Sequence, residues 1–147
     1  MAMYCFKKNS LILYLFFLSV LVFGAEKDPF SLYLTKKMKY FEGKENKKVV
    51  KLFLKKWNTD AFSIKDKELM TYFVSDFENR AFNQDYYINF FSFCNYLSQN
   101  NSKKLSYWLN VSYPFLVNLN DNDLDFFLTT NNQIIKEGIL FKKNDFT

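Results

Sequence analysis

The chain has 147 residues, a formal net charge of +5, no histidine, three glycines, two prolines and two cysteines, against 19 phenylalanines and 10 tyrosines. The missing histidine excludes Ser–His–Asp and Cys–His nucleophile activation and removes the commonest transition-metal ligand. Three isolated glycines exclude a Gly-rich phosphate loop, and a mild positive charge predicts no strong preference for nucleic acid. Lysine, asparagine, phenylalanine and tyrosine all use A/T-rich codons, so genome bias alone can produce this composition.

Residues 11–25, "LILYLFFLSVLVFGA", come first. The apolar run Leu11–Phe23 follows Lys7 and Lys8, and small Gly24 and Ala25 follow it. A membrane-spanning helix needs roughly 20 apolar residues, and this run is shorter. A basic start, a short apolar centre and a small-residue exit describe a secretory signal. Residues 1–25 are therefore expected to be a signal peptide cut near Gly24 or Ala25, the alternative being an uncleaved single-pass anchor. The rest has the size of one domain. Cys94 is then its only cysteine, so no internal disulfide can form and packing must supply the stability. That favours a bacterial envelope or secreted protein.

Beyond the signal, apolar residues recur at three-and-four spacing, which predicts an irregular all-α bundle of four to six helices. Residues 26–62 read as a lysine-rich helical lead-in. Within it "KENKKVVKLFLKKW" places Val49, Val50, Phe53, Leu54 and Trp57 on one face and Lys47, Lys48, Lys51 and Lys55 opposite. Residues 63–138 read as the helical core. Ser63 is its expected first cap, with Asp66 in capping-box position, and Met70, Phe73, Val74, Phe77 and Ala81 form the stripe that follows. "DYYINFFSFCNYLSQN" is apolar over most of its circumference and is predicted to be a central helix. Leu105, Trp108, Leu109 and Ser112 share the next face, until Pro114 bends or restarts the helix. Asp121, Asp123 and Asp125 suit the amino end of a last helix. Its inner stripe is Leu124, Phe127, Leu128 and Ile135, and Gly138 is its predicted stop. "ILF" at 139–141 reads as the start of a short strand in a following segment, 139–147.

The order of the Phe/Tyr-rich helix, Trp108, the "DLDFFL" helix and a terminal "GILF" resembles the helical amino-terminal region of long exported bacterial proteins of unassigned function. The resemblance covers residues 64–147. In those proteins β-rich segments follow the helices. The resemblance implies a leading module on a larger polypeptide, with further domains of that polypeptide or another protein as its partner, and it transfers no site residues.

Residues able to carry chemistry are few. Cys94 lies among Phe90, Phe91, Phe93 and Leu97, where a thiol packs as a small apolar group. Asp121, Asp123 and Asp125 have the spacing of a calcium loop, but its sixth position is Phe126 instead of Gly and its twelfth is Asn132 instead of Glu. Asp76, Glu78 and Asp85 are the candidate pair-forming carboxylates for a hydrolase. The lysines of residues 36–56 interleave with Tyr40, Phe41, Phe53 and Trp57, as basic-aromatic surfaces do. Lys47, Lys48, Lys51 and Lys55 are thus the candidate contact surface for a membrane or polyanion, through the basic helix around 44–57. No catalytic residue, cofactor or metal is expected, and the leading expectation is a non-catalytic structural or interaction module of an exported protein.

Overall fold

The computed structural model describes residues 28–144, with side chains through 133; the expected signal peptide lies outside the described residues. The described chain is an all-α bundle. Its helices are α1 (Pro29–Lys37), α2 (Lys44–Asn58), α3 (Ile64–Glu78), α4 (Gln84–Asn100), α5 (Ser102–Leu116) and α6 (Asp121–Asn144), with a 3-10 turn, Met38–Tyr40, after α1.

Short polar side chains start these helices, each satisfying a backbone N–H that the first turn leaves without a partner. The Asp28 carboxylate accepts from Phe30 N at 3.2 Å, and Pro29 opens α1, where its missing N–H costs nothing. Ser63, Asn83, Asn101 and Asn120 accept in the same way from Asp66, Asp85, Lys104 and Asp123. The α2 start is different. Gly43 precedes it at φ 89°, a left-handed conformation that strains any side chain, although a Cβ there would meet only Asn46 Nδ2, at an ordinary 3.9 Å.

Helix α4 is central, as its apolar circumference predicts. It packs on α2, α3, α5 and α6, while α3 packs on α5 and α1 on α2. The resulting core is a run of touching aromatic rings. Phe53 of α2 stacks on Phe91 of α4 at 4.2 Å, Phe73 of α3 stacks on Phe90 at 4.7 Å, and Phe93 meets Trp108 of α5 at 4.2 Å. Ring pairs of this kind contribute about 0.5–1.5 kcal/mol each beyond the area they bury. Val50, Phe53, Trp57, Met70, Phe73, Val74 and Phe77 are all buried in this core, which draws on residues 26–62 and 63–138 alike.

Three details depart from expectation. Helix α3 ends at Glu78, where Asn79 N bonds back to the carbonyls of Ser75 and Asp76, so Ala81 falls beyond the stripe and is exposed. Helix α5 runs through Pro114, which sits near its end, and stops at Leu116. The short strand expected at 139–141 is helix: α6 continues through Gly138 to Asn144. A lone strand leaves its backbone groups without partners, whereas a helix satisfies them within the segment. A glycine inside a helix costs about 1 kcal/mol relative to alanine, too little to stop one already nucleated.

Candidate functional site

The four lysines of the predicted contact surface do share one face of α2: Lys47, Lys48, Lys51 and Lys55 are all exposed. The aromatics expected to interleave with them do not join that surface. Phe53 and Trp57 are buried at 0% and 4% exposure, and the Trp57 indole N–H donates to the Asp28 carboxylate. Phe41 is buried as well, leaving Tyr40 as the exposed ring of that set. Lys56 points inward and donates to Asn95 O at 2.6 Å and Ser98 Oγ at 2.7 Å, tying α2 to α4. Burial pushes the pKa of its ammonium down.

Asp76 and Glu78, two of the three candidate carboxylates, have separate partners. Asp76 is 2% exposed and binds Arg80 Nε at 3.0 Å, one helical turn along. Arg80 is the only arginine of the chain. Its remaining donors reach Asp121 Oδ1 at 2.9 Å and the carbonyls of Leu116 and Leu119 at 3.3 and 2.8 Å, fastening the end of α3 to the end of α5 and the start of α6. Burial raises the Asp76 pKa and Arg80 offsets part of that rise. Glu78 instead receives the Lys37 ammonium and the hydroxyls of Tyr33 and Tyr87 on one carboxylate oxygen. Burial pushes its pKa up, and these three donors together outweigh burial and hold it below the ordinary glutamate value. The two tyrosines move the other way. Burial, reinforced by the Glu78 charge, raises both well above the usual phenol range. Asp85 stands in the first turn of α4 and is exposed.

The calcium-like run is a helix start. Asn120 and Asp123 exchange side-chain and backbone bonds at 2.8 and 3.0 Å, and Asp121 holds Arg80. Among the described residues, no three acidic or cysteine side chains are grouped so as to share a metal ion. Asp121 and Asp125, with Tyr40, Glu42, Phe82 and Asp85, also line an open cleft of about 750 Å³ between the loops and the start of α6. Cys94 is fully buried, and burial raises its thiol pKa well above the ordinary value. Asp66, the expected capping-box acid, is 4% exposed and accepts from Ser106 Oγ of α5 at 2.8 Å.

Two constellations were missed in the sequence. Arg80 had a legible signal, an Asp four residues before it on a helix. The grouping of Tyr33, Lys37, Phe82 and Tyr87 around Glu78 had none, because Tyr33 and Lys37 lie 45 and 41 residues from Glu78. Among the described residues no helix is long and apolar enough to cross a membrane. No protein-family model matches the chain, and neither a curated protein nor a solved structure matches it.

Proposed function

We propose that the chain is a non-catalytic helical structural or interaction module of an exported protein, leading a longer polypeptide. The observation that carries this reading is the use made of its reactive-looking side chains. Asp76, Glu78 and Asp66 each hold a donor from another helix or from the turn after their own. A general acid or base must be free to reach a substrate proton, and a carboxylate held by its own scaffold is poorly placed for that. The surface offered to a partner comprises the lysine face of α2 and an apolar stripe on α5, where Tyr107, Val111 and Phe115 are exposed at four-residue spacing. Attachment to a membrane or polyanion through Lys47, Lys48, Lys51 and Lys55 is the weaker reading, because of the rings that would accompany those lysines Phe41, Phe53 and Trp57 are in the core and only Tyr40 is exposed. Export and signal cleavage near Gly24 or Ala25 are part of the proposal and rest on the sequence pattern alone.

The test is a hydrolase screen of the purified exported chain beside Asp76→Asn, Glu78→Gln and Asp85→Asn. No turnover is expected that depends on any of the three. A turnover removed by one of these changes in a protein that remains folded overturns the reading.

A further inference from the structure

Lys37, the last residue of α1, is enclosed, whereas its neighbours Lys36 and Lys39 are exposed. Its side chain is 14% exposed, and its ammonium stands 5.7 Å from the ring centroid of Tyr33 and 5.2 Å from those of Phe82 and Tyr87. The Glu78 carboxylate closes the remaining side, its oxygen held in place by the two tyrosine hydroxyls. Three ring faces within about 6 Å attract a cation through their quadrupoles, and a carboxylate adds a charge-assisted hydrogen bond.

Three of the four walls do not depend on the helix that carries Lys37. Glu78 ends α3, Tyr87 belongs to α4 and is 1% exposed, and Phe82 sits in the loop between those helices. Phe82 is 50% exposed, and its ring lies 5.9 Å from that of Tyr87 and 6.3 Å from that of Tyr40. It is also a wall of the open cleft, so cage and cleft share one side chain. Lys37 is the last residue of α1, so its stem reaches the cage from a helix end.

We propose that Tyr33, Phe82, Tyr87 and Glu78 form a recognition site for the lysine side chain of a partner protein, and that Lys37 is its built-in competitor. This deepens the interaction-module reading and rests on it. A ligand tethered to its own site acts at an effective concentration in the ~mM range, so a partner's lysine enters only when the rest of the partner surface supports it. The chain alone stays closed. A partner engaging the surrounding surface would exchange its lysine for Lys37, which returns to water.

Nα-acetyl-lysine N-methylamide is the probe, titrated by NMR against the full-length protein and its Lys37→Ala variant. Saturable shifts at Tyr33, Phe82 and Tyr87 are expected in Lys37→Ala, with affinity at least about 10-fold weaker in the parent, whose site is mostly filled. The shifts should vanish in Lys37→Ala/Glu78→Gln, and the neutral norleucine analogue should not produce them. A folded Lys37→Ala that shows no saturable shift, or that binds the norleucine analogue equally well, overturns the proposal. Should Lys37→Ala not fold, acetic anhydride labelling of the parent decides. Lys37 must then react at least about 10-fold more slowly than Lys47 and Lys48, because a filled cage leaves little of its amine free; equal rates overturn the proposal. The hydrolase screen is independent of all these outcomes, so failure of the cage is distinguishable from failure of the module reading.

Discussion

Arg80 Nε meets Asp76 Oδ2 at 3.0 Å across one turn at the end of α3, with the aspartate 2% exposed and the arginine side chain 11% exposed. A guanidinium presents five donors in a fixed fork, and here that fork also reaches Asp121 and two carbonyls that follow α5 or end it. Removing it leaves a buried carboxylate uncompensated and two carbonyls without this donor. Arg80→Ala should therefore cost about 3–5 kcal/mol in denaturant unfolding. Arg80→Lys keeps the charge and loses the fork, for an expected loss of about 1–3 kcal/mol. Equal stability of the lysine variant and the parent would show that charge alone matters at this junction.

Glu78 and Asp76 make opposite predictions in acid. The Glu78 pKa is lowered in the folded chain, so its stabilisation is complete above the ordinary glutamate value and is lost as pH falls through the folded one. The Asp76 pKa is raised, so the folded chain takes up that proton more readily than the unfolded chain, and stability from this group increases as pH falls. Thermal unfolding followed from pH 6 to 3 should show a shallower acid decline for Glu78→Gln than for the parent. The decline for Asp76→Asn should be steeper. Parallel curves for all three would mean that neither carboxylate titrates differently on folding.

Trp108 gives a packing test. Its ring lies 4.2 Å from Phe93, 5.4 Å from Phe73 and 5.9 Å from Phe127, joining α3, α4, α5 and α6. It is half-buried, not fully buried. Trp108→Ala should cost about 3 kcal/mol, the low end of the range for large aromatic deletions in a core. A loss below about 1 kcal/mol would mean that α6 docks without this ring.

Much of this fold can be read from periodicity. The stripes Val50–Phe53–Trp57 and Met70–Phe73–Val74–Phe77 are buried as their spacing requires, and α4 is enclosed as its apolar circumference requires. Helix α1 was harder to single out, because it is nine residues long and its buried set is Pro29, Phe30 and Leu34. The "ILF" triplet failed as a strand signal for a general reason: a short apolar run fits a strand or a helix equally well, and the available pairing decides. Asp66 illustrates another limit. Its spacing from Ser63 suits a local cap, and Ser63 does accept from Asp66 N, but the carboxylate is taken up by Ser106, 40 residues away. In the cage around Lys37, Tyr33 and Lys37 are four residues apart on α1, but their meeting with Glu78 spans more than 40 residues, and no local pattern encodes it.

The lysine face of α2 carries the last prediction. Lys47, Lys48, Lys51 and Lys55 are solvated, so replacing all four with glutamine should leave unfolding within about 0.5 kcal/mol per position of the parent. Near an anionic lipid surface each lysine could add about 1 kcal/mol of attraction, a total that salt would remove. Peripheral helices usually also bury rings in the headgroup layer, and α2 keeps Phe53 and Trp57 in the protein core instead. If the signal is cut as proposed, amino-terminal sequencing should give Ala25 or Glu26, and that chain should stay in the supernatant when spun with anionic vesicles at physiological salt. Sedimentation with vesicles that is abolished by high salt and by the four glutamines would make this face a contact surface. An intact Met1 in the membrane fraction would show instead that the apolar segment is retained as an anchor, holding the lysine face near lipid whatever its own affinity.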